Sequence, residues 1–187
     1  MTEAPTDEAL SRRVRAGDTE AFGLLVERHM RRAYVHALGI VGSREDARDL
    51  SQEAFARAYG ARHTLDPDRP FYGWLYQILR RLCFNFLRDT STRMRLLQEG
   101  APDWLVATDR ARTDHPALES EREQARQRVS AAINQLPPRE REVLVLKEFE
   151  DLKYREIAEL LGIPIGTVMS RLYTARKRLA EALESCR

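Results

Sequence analysis

One segment near the carboxyl terminus constrains the fold more than any other, YREIAELLGIPIGTVMSRLYTARKRL at positions 154–179. Its first part has one apolar helix face, with residues at the i, i+3, i+4 and i+7 positions: Tyr154, Ile157, Ala158 and Leu161. Gly162 suits the left-handed backbone that ends many helices. Pro164 suits the opening of a second helix, where its missing N–H has no partner. The segment therefore predicts two helices joined by a tight turn.

The predicted second helix has an apolar side and a polar side. Helical spacing predicts that five apolar residues lie on the inner side of this helix: Ile165, Val168, Leu172, Ala175 and Leu179. The outer side and its flanks carry Thr167, Ser170, Tyr173, Thr174, Lys177, Arg171, Arg176 and Arg178. Small and hydroxylated side chains can approach base edges, and the cations behind them can reach phosphates. Four cations without an acid between positions 171 and 178 favour a DNA-binding helix-turn-helix over an ordinary helical hairpin with a solvated basic end.

Composition limits the class of protein. The 187 residues have room for one large domain or two small ones, and the net charge of +2 is too small to identify a partner. Cys83 and Cys186 provide neither a disulfide framework nor metal-ligand spacing, which favours a reducing cytoplasm. The sequence shows no signal peptide and no apolar run long enough for a membrane span, so we expect a soluble cytoplasmic protein without membrane insertion.

The rest of the chain also has helical periodicity, without β-alternation of useful length. We therefore predict an all-α fold. One helix is expected over 71–89, FYGWLYQILRRLCFNFLRD, and another over 118–136, ending at Pro137 and Pro138. Periodicity fades over 98–115, which reads as a flexible linker. The predicted organisation is two small helical domains, 1–95 and 119–187, joined by a linker over 96–118.

An acidic helix is predicted after Ser43, which has Asp46 three residues on, as in a capping box. Asp46, Asp49 and Glu53 fall on one face of this helix. From the residues alone, a solvated acidic face is the favoured interpretation.

The helix predicted over 71–89 is rich in aromatic residues. A buried stripe is expected from Leu75, Ile78, Leu82 and Phe86, whereas another face aligns Gln77, Arg81, Phe84 and Arg88. A Phe between two Arg, close to Phe71, Tyr72, Trp74 and Tyr76, suits a surface that stacks unpaired bases and holds phosphates. The alternative is that the aromatic residues belong to the core.

Five segments, in order, resemble the extracytoplasmic-function (ECF) group of bacterial sigma factors: GDTEAFGLLVERH, EDARDLSQEAFARAY, FYGWLYQIL, LPPREREVLVL and YREIAELLGIPIGTVMSRL. The resemblance covers nearly the whole chain. It implies sigma domains two and four, joined by a linker that threads into RNA polymerase. The implied partners are core RNA polymerase, through its β′ clamp helices and β subunit, promoter DNA and an anti-sigma factor.

The resemblance also implies roles for individual residues. Docking on the polymerase clamp helices is implied for Asp46, Asp49, Gln52, Glu53 and Phe55. Melting and capture of the minus-ten element is implied for His63, Thr64, Leu65, Asp66, Phe71, Tyr72, Trp74, Gln77, Arg81, Phe84, Asn85 and Arg88. Reading of the minus-thirty-five element is implied for Thr167, Met169, Ser170, Arg171, Tyr173, Thr174, Arg176 and Lys177.

The sequence departs from the family pattern in both segments that the resemblance assigns to promoter recognition, the minus-ten segment and the minus-thirty-five segment. Where the family often has Asn and Asp in an N-L-x-x-D-x-L-R segment, this chain has Arg81 and Asn85. Many members carry a cation where Met169 and Thr174 stand. We therefore expect changed preferences at both promoter elements, with the activity itself retained.

Two other classes of function compete with this interpretation. A stand-alone helix-turn-helix regulator would leave the acidic docking motif without a role, and the first 95 residues carry no sensor pattern. An enzyme is disfavoured because His29 and His36 lack a third metal ligand, Cys83 lacks an activating partner, and no glycine loop could cradle a phosphate. We expect no catalytic residue, no metal and no cofactor. Co-purification with core RNA polymerase would separate a sigma factor from a simple regulator.

Overall fold

The computed structural model describes the backbone of residues 4–100 and 121–184, and the side chains of 4–92 and 128–184. Within these ranges the chain is helical, as predicted, and no strand occurs. The helices are α1 (Asp7–Arg15), α2 (Thr19–Val41), α3 (Arg44–Gly60), α4 (Phe71–Gly100), α5 (Glu121–Asn134), α6 (Pro138–Glu148), α7 (Tyr154–Leu161) and α8 (Ile165–Glu184), with a short 3-10 turn at Arg62–Thr64. None of the described helices is both long and apolar enough to cross a lipid bilayer.

Side-chain caps fix the starts of the first three helices. The hydroxyl of Thr6 accepts from the Ala9 amide, the carboxylate of Asp18 from the Ala21 amide, and the hydroxyl of Ser43 from the Asp46 amide. Each cap satisfies one of the amides that have no partner inside the helix. The helix start predicted after Ser43 is confirmed.

The helix that begins at Phe71 is longer than predicted. It continues to Gly100 rather than ending near Asp89, so the first five residues of the predicted 96–118 linker are helical. The cause is local: TSTRMRLLQE contains good helix formers and no proline. Positions 101–118 of the predicted linker lie outside the described residues.

The amino-terminal helices surround one core. α2 packs against α3 and α4, and α1 covers α2. Fully buried side chains from these elements include Leu10, Leu25, Ala47, Leu75 and Leu79. Leu65, which follows the 3-10 turn, is also buried and ties the 61–70 connection to this core. The arrangement leaves one face of α3 and one face of α4 free of core contacts.

The carboxyl-terminal helices form a second bundle, in which α6 and α7 pack against α8. Its core contains Val143, Leu146, Ile157, Val168 and Leu172. The named residues recur at helical spacing on α6 and on α8, and together with Ile157 of α7 they exclude water from the centre of the bundle.

The two bundles contact each other through α2 and α6 and through α4 and α7. A Cβ at Gly39 would come within 2.6 Å of Cγ2 of Val145, so glycine permits the close approach of α2 to α6. At one end of this contact, the side-chain amide of Asn134 donates to the carbonyl of Gly42, at 3.2 Å. The described buried side chains of the two bundles form one continuous apolar cluster.

Candidate nucleic-acid and polymerase interfaces

The turn between α7 and α8 has the geometry expected of a helix-turn-helix. Gly162 is left-handed, with φ of 65°. Its amide donates to the carbonyl of Glu159, and the amide of Ile163 donates to that of Ala158. This pair of bonds is a Schellman motif, and the positive φ strains any residue other than glycine. The predicted two helices and tight turn are therefore confirmed.

α8 presents a mixed outer face. Its inner side is held by Val168, Leu172 and Ala175, which are buried. Met169, Ser170, Tyr173, Arg176 and Lys177 are exposed, whereas Thr167, Arg171 and Thr174 are half-buried. The outer face predicted for base reading is thus open to solvent along most of the helix.

The inward orientation predicted for Ile165 is wrong. Its side chain is 47% exposed, because it occupies the first position of α8, before the turn that Val168 anchors in the core. Helical spacing alone does not show where the neighbouring helices stop covering a face.

Two of the predicted phosphate-binding cations on α8 have partners within the chain. Nη2 of Arg176 lies 2.6 Å from a carboxylate oxygen of Glu148, and Nη1 of Arg178 lies 3.0 Å from one of Glu140. Within the described part of the chain, Lys177 has only a distant contact, 4.0 Å, with Glu181. Nη1 of Arg171 is buried and has no hydrogen-bond partner among the described residues. The pairing of Arg176 and Arg178 reduces the positive charge that this face offers to DNA.

The predicted polymerase-docking residues divide between surface and core. On α3, Asp49, Gln52 and Glu53 are exposed and Asp46 is half-buried, which leaves an acidic ridge open to a partner. Phe55 is 3% exposed and packs on Phe22, with ring centroids 6.3 Å apart. The structure places its ring in the core and not on the acidic ridge, because its position on α3 points it inward beside Ala54 and Ala58.

A groove between α2 and α3 lies next to the acidic ridge, and sequence reasoning missed it. Its volume is about 680 Å³, and its lining includes Arg31, Tyr34, Arg44, Arg48 and Gln52. The three arginines come from two different helices, so no single segment of sequence signals a basic groove. Gln52 belongs to both the ridge and the groove, and the two features form one surface of opposite charges.

The predicted minus-ten residues also divide. Leu65, Phe71 and Tyr72 are buried, at 1%, 1% and 5% exposure, so the structure places them beneath the surface and not on it. The rings of Phe71 and Tyr72 both pack against His29, beneath the exposed residues of the 61–70 connection and the start of α4. Of the remaining residues, the exposed ones are His63, Thr64, Asp66, Gln77, Arg81 and Arg88, and the half-buried ones are Trp74, Phe84 and Asn85.

Several of these accessible side chains are engaged within the chain, among them Trp74, Gln77 and Phe84. The indole N–H of Trp74 donates to the hydroxyl of Thr64 at 3.3 Å, which positions the ring beside the 3-10 turn. The side-chain amide of Gln77 donates to the carbonyl of Leu160 on α7, at 2.5 Å. The guanidinium carbon of Arg80 lies 4.9 Å from the centroid of the Phe84 ring. The cation stacked on Phe84 is therefore Arg80, and not one of the arginines predicted to flank it.

His29, His36 and Cys83 each contact neighbouring side chains or lie in the core, as structural residues do. Nε2 of His29 lies 2.6 Å from a carboxylate oxygen of Asp7. His36 is buried beside Arg32, and these surroundings lower its pKa to about 3. Burial raises the pKa of the Cys83 thiol to about 12, so it is not an activated nucleophile. No group of three or more potential metal ligands comes together within the described part of the chain.

Family models match both bundles. The model described as Sigma-70 region 2 matches residues 25–93, and the model described as Sigma-70, region 4 matches residues 126–179. The first contains the acidic ridge and most of α4. The second contains the whole helix-turn-helix through Leu179.

Whole-chain relatives give the same answer. The chain is 34% identical to the ECF RNA polymerase sigma-E factor of Haemophilus influenzae, over 98% of both chains. It is 34% identical to the RNA polymerase sigma-H factor of Pseudomonas aeruginosa, over 98% of this chain and 97% of that one.

Two solved structures share the fold. One is described as CnrH in complex with the cytosolic domain of CnrY, with a TM-score of 0.64, 26% identity, and coverage of 96% of this chain and 97% of that chain. The other is the sigma factor RpoE in complex with the anti-sigma factor NepR from Bartonella quintana. It has a TM-score of 0.66 and 25% identity, covering 89% and 98% of the two chains.

Proposed function

The chain belongs to the ECF group of bacterial RNA polymerase sigma factors, and we propose that it directs core RNA polymerase to promoters with a minus-ten and a minus-thirty-five element. The observation that carries this function is the presence of both sigma regions in one chain, with an open outer face on α8. No bond is made or broken by this chain, because the polymerase performs the chemistry. We propose the cytoplasm as its location, where polymerase and promoter meet.

For the upstream element, we propose that α8 enters the major groove. Ser170 and Tyr173 are exposed on its outer face and would approach base edges, with Thr167, Met169 and Thr174 beside them. Lys177, Arg171 and Arg176 would reach phosphates. Arg176 can do so only by leaving Glu148, so its contribution to DNA affinity is smaller than that of an unpaired arginine.

For the downstream element, we propose a surface reduced to the accessible side chains, His63, Thr64, Asp66, Trp74, Gln77, Arg81, Phe84, Asn85 and Arg88. Phe71, Tyr72 and Leu65 support it from the core. Unstacking a base costs a few kcal/mol, which is recovered when the base stacks on an aromatic ring and its phosphates meet cations. Phe84 and Trp74 supply accessible rings in this region, and Arg81 and Arg88 supply exposed cations.

We propose that the acidic ridge docks on core polymerase. Asp49, Gln52 and Glu53 are the exposed members, Asp46 is half-exposed, and Phe55 fixes the helix from beneath. Charges on an exposed helix face guide association and set orientation more than they add affinity. The β′ clamp helices and the β subunit are the partner surfaces that we expect.

We further propose an anti-sigma factor as a partner, since RpoE of Bartonella quintana was solved with one. The domain division that we propose is 1–95 and 119–187, with α4 extending into the connecting segment.

The two domains each bind DNA weakly, but on one polymerase they act at a high effective concentration. Neither domain therefore needs to bind DNA tightly alone.

The decisive experiment is reconstitution with purified core RNA polymerase. We expect the chain to co-purify with the core enzyme and to give run-off transcripts from a subset of promoters. Core polymerase alone is the control. A stand-alone regulator would bind its DNA site without polymerase and would not co-purify with the core enzyme, and that result would overturn the proposal.

A further inference from the structure

Three large apolar side chains are exposed on successive turns of α8. Ile165, Met169 and Tyr173 are 47%, 52% and 73% exposed. Half of the large apolar side chains found exposed among the described residues therefore lie on this one helix, the others being Leu24, Val129 and Phe149. Their spacing of four residues places them side by side along the helix. We call these three residues the apolar stripe.

Charge around the apolar stripe indicates what covers it. Positions 165–180 contain four cations and no acid. Arg171 has a buried nitrogen without a hydrogen-bond partner among the described residues, and Lys177 has only its distant contact with Glu181. Arg176 and Arg178 are paired with Glu148 and Glu140, but an apolar protein surface would leave Arg171 and Lys177 unmatched, whereas the phosphates on both sides of a DNA groove would match them. DNA is therefore the occupant that the charges favour.

The major groove contains one apolar group that a stripe of this kind can recognise, the C5 methyl group of thymine. We propose, on the basis of the sigma function proposed above, that the apolar stripe reads thymine methyl groups in the upstream promoter element. Met169 is the central residue of this readout. A hydrogen-bonding code would require donors and acceptors at these positions, and neither Ile165 nor Met169 carries a donor.

The dimensions of helix and duplex fit this assignment. Side chains four residues apart on a helix have Cβ atoms about 5–6 Å apart. Neighbouring base pairs are separated by about 3.4 Å along the duplex, so Met169 and Tyr173 can reach methyl groups one or two base pairs apart. The methionine side chain is flexible and polarizable, and it can adapt to a methyl group from either strand.

The experiment uses the complete holoenzyme, assembled from core polymerase and the full chain. The preferred upstream element is first selected from a randomised promoter library. Each thymine in it, on either strand, is then replaced singly by deoxyuridine, which keeps every hydrogen-bonding group and removes only the methyl group. We expect deoxyuridine at one or two positions to reduce promoter occupancy about four-fold, the value of one buried methyl group.

The variants assign the effect to the apolar stripe. In M169A, the deoxyuridine and thymine promoters should give equal occupancy at one of the sensitive positions. F149A is the matched control, because Phe149 is an exposed apolar residue outside α8, and it should retain the four-fold effect. Deoxyuridine outside the two promoter elements should have no effect with any variant.

Several outcomes would overturn the inference. One is a selected element without thymine on either strand. Another is equal occupancy of the thymine and deoxyuridine promoters by the wild-type holoenzyme. A third is equal methyl sensitivity in the wild type, M169A and Y173A. A loss of core-polymerase binding in M169A would also overturn it, by showing that the apolar stripe docks on protein. Failure of the proposed function would look different, since the holoenzyme would then give no promoter-dependent transcript at all.

Discussion

The hydroxyl of Tyr76 on α4 donates a hydrogen bond to a carboxylate oxygen of Glu142 on α6, with 2.7 Å between the oxygens. Nε of Arg80 donates to the same oxygen at 2.7 Å, and its Nη2 to the other oxygen at 3.3 Å. Glu142 is 1% exposed. Burial raises the pKa of Tyr76 well above its usual value, so the phenol keeps its proton. A buried carboxylate of the second bundle is thus satisfied by two side chains of the first.

We expect E142A to destabilise the protein by about 3 kcal/mol, because it leaves a partly buried arginine and a buried phenol without their acceptor. Urea unfolding followed by circular dichroism measures this change. The control is E53A, which removes an exposed carboxylate paired with Arg57 four residues on and should cost about 0.5 kcal/mol or less. Equal costs for the two variants would show that the buried network contributes nothing.

Stability should fall in mild acid because of His36. Its pKa is lowered to about 3 by burial first and by the charge of Arg32 second. Between about pH 6.5 and pH 3 the unfolded chain binds a proton on this residue and the folded chain does not. The free energy of unfolding should therefore decrease as the pH falls through that window, by about 1.4 kcal/mol per pH unit for the one proton. Urea titrations between pH 4 and pH 7 measure the slope.

The surroundings of His36 explain why it stays neutral. Its Nδ1 lies 2.7 Å from the hydroxyl of Tyr72, and its Nε2 lies 3.7 Å from Glu150, too far for a hydrogen bond. Glu150 is instead paired with Nε of Arg32, at 2.6 Å. H36Q should flatten the pH dependence of the unfolding free energy over this window. An unchanged slope in H36Q would assign the acid sensitivity to another group.

Reversing the acidic ridge should weaken binding to core polymerase. The double variant D49K/E53K leaves the core untouched, so its unfolding free energy should change by less than about 1 kcal/mol. Its affinity for core polymerase should drop at least ten-fold, measured by fluorescence anisotropy of the labelled chain. E8K/E20K is the matched control, since it makes the same change of charge at exposed positions of α1 and α2. Unchanged affinity in D49K/E53K would show that the acidic ridge is a solvated face without a role in polymerase binding.

Releasing Arg176 should strengthen binding to DNA of any sequence. In E148Q the arginine loses its carboxylate partner and becomes free to contact a phosphate. We expect the slope of log affinity against log salt to steepen by about one unit, without a change in the preferred upstream sequence. E159Q, an equal change of charge on α7, is the control. Identical salt slopes for E148Q and E159Q would show that Arg176 does not reach DNA.

Local signals predicted the parts of the fold that depend on neighbouring residues. The Ser43 cap and the Gly162 turn each involve atoms within five residues, and both are present. The burial of individual side chains was harder to predict, because a family motif marks a position in the chain and not the direction of its side chain. Phe55 and Phe71 illustrate this, since both lie inside motifs of functional segments and both pack in the core.

Contacts between distant segments could not be predicted at all. In REREVLVLKEF, Glu142 looks like any other surface acid, yet its partners are 62 and 66 residues away. The pairing of Arg176 with Glu148 spans 28 residues and changes how much charge α8 presents. Neither relationship leaves a periodic or compositional signal, because each depends on how the helices pack.

The contact between the bundles has a thermodynamic consequence for promoter selection. Two elements about 25 base pairs apart lie about 85 Å apart along straight B-DNA, whereas Gln77 of α4 here touches Leu160 of α7. An arrangement in which α4 touches α7, the helix that precedes the upstream reader α8, cannot occupy both elements at once. The interface is therefore an intramolecular competitor of the promoter, and the apparent affinity for DNA falls in proportion to the fraction of molecules that keep it closed. Residues such as Gly39 and Glu142, which approach no base, thereby help to set how strong a promoter must be.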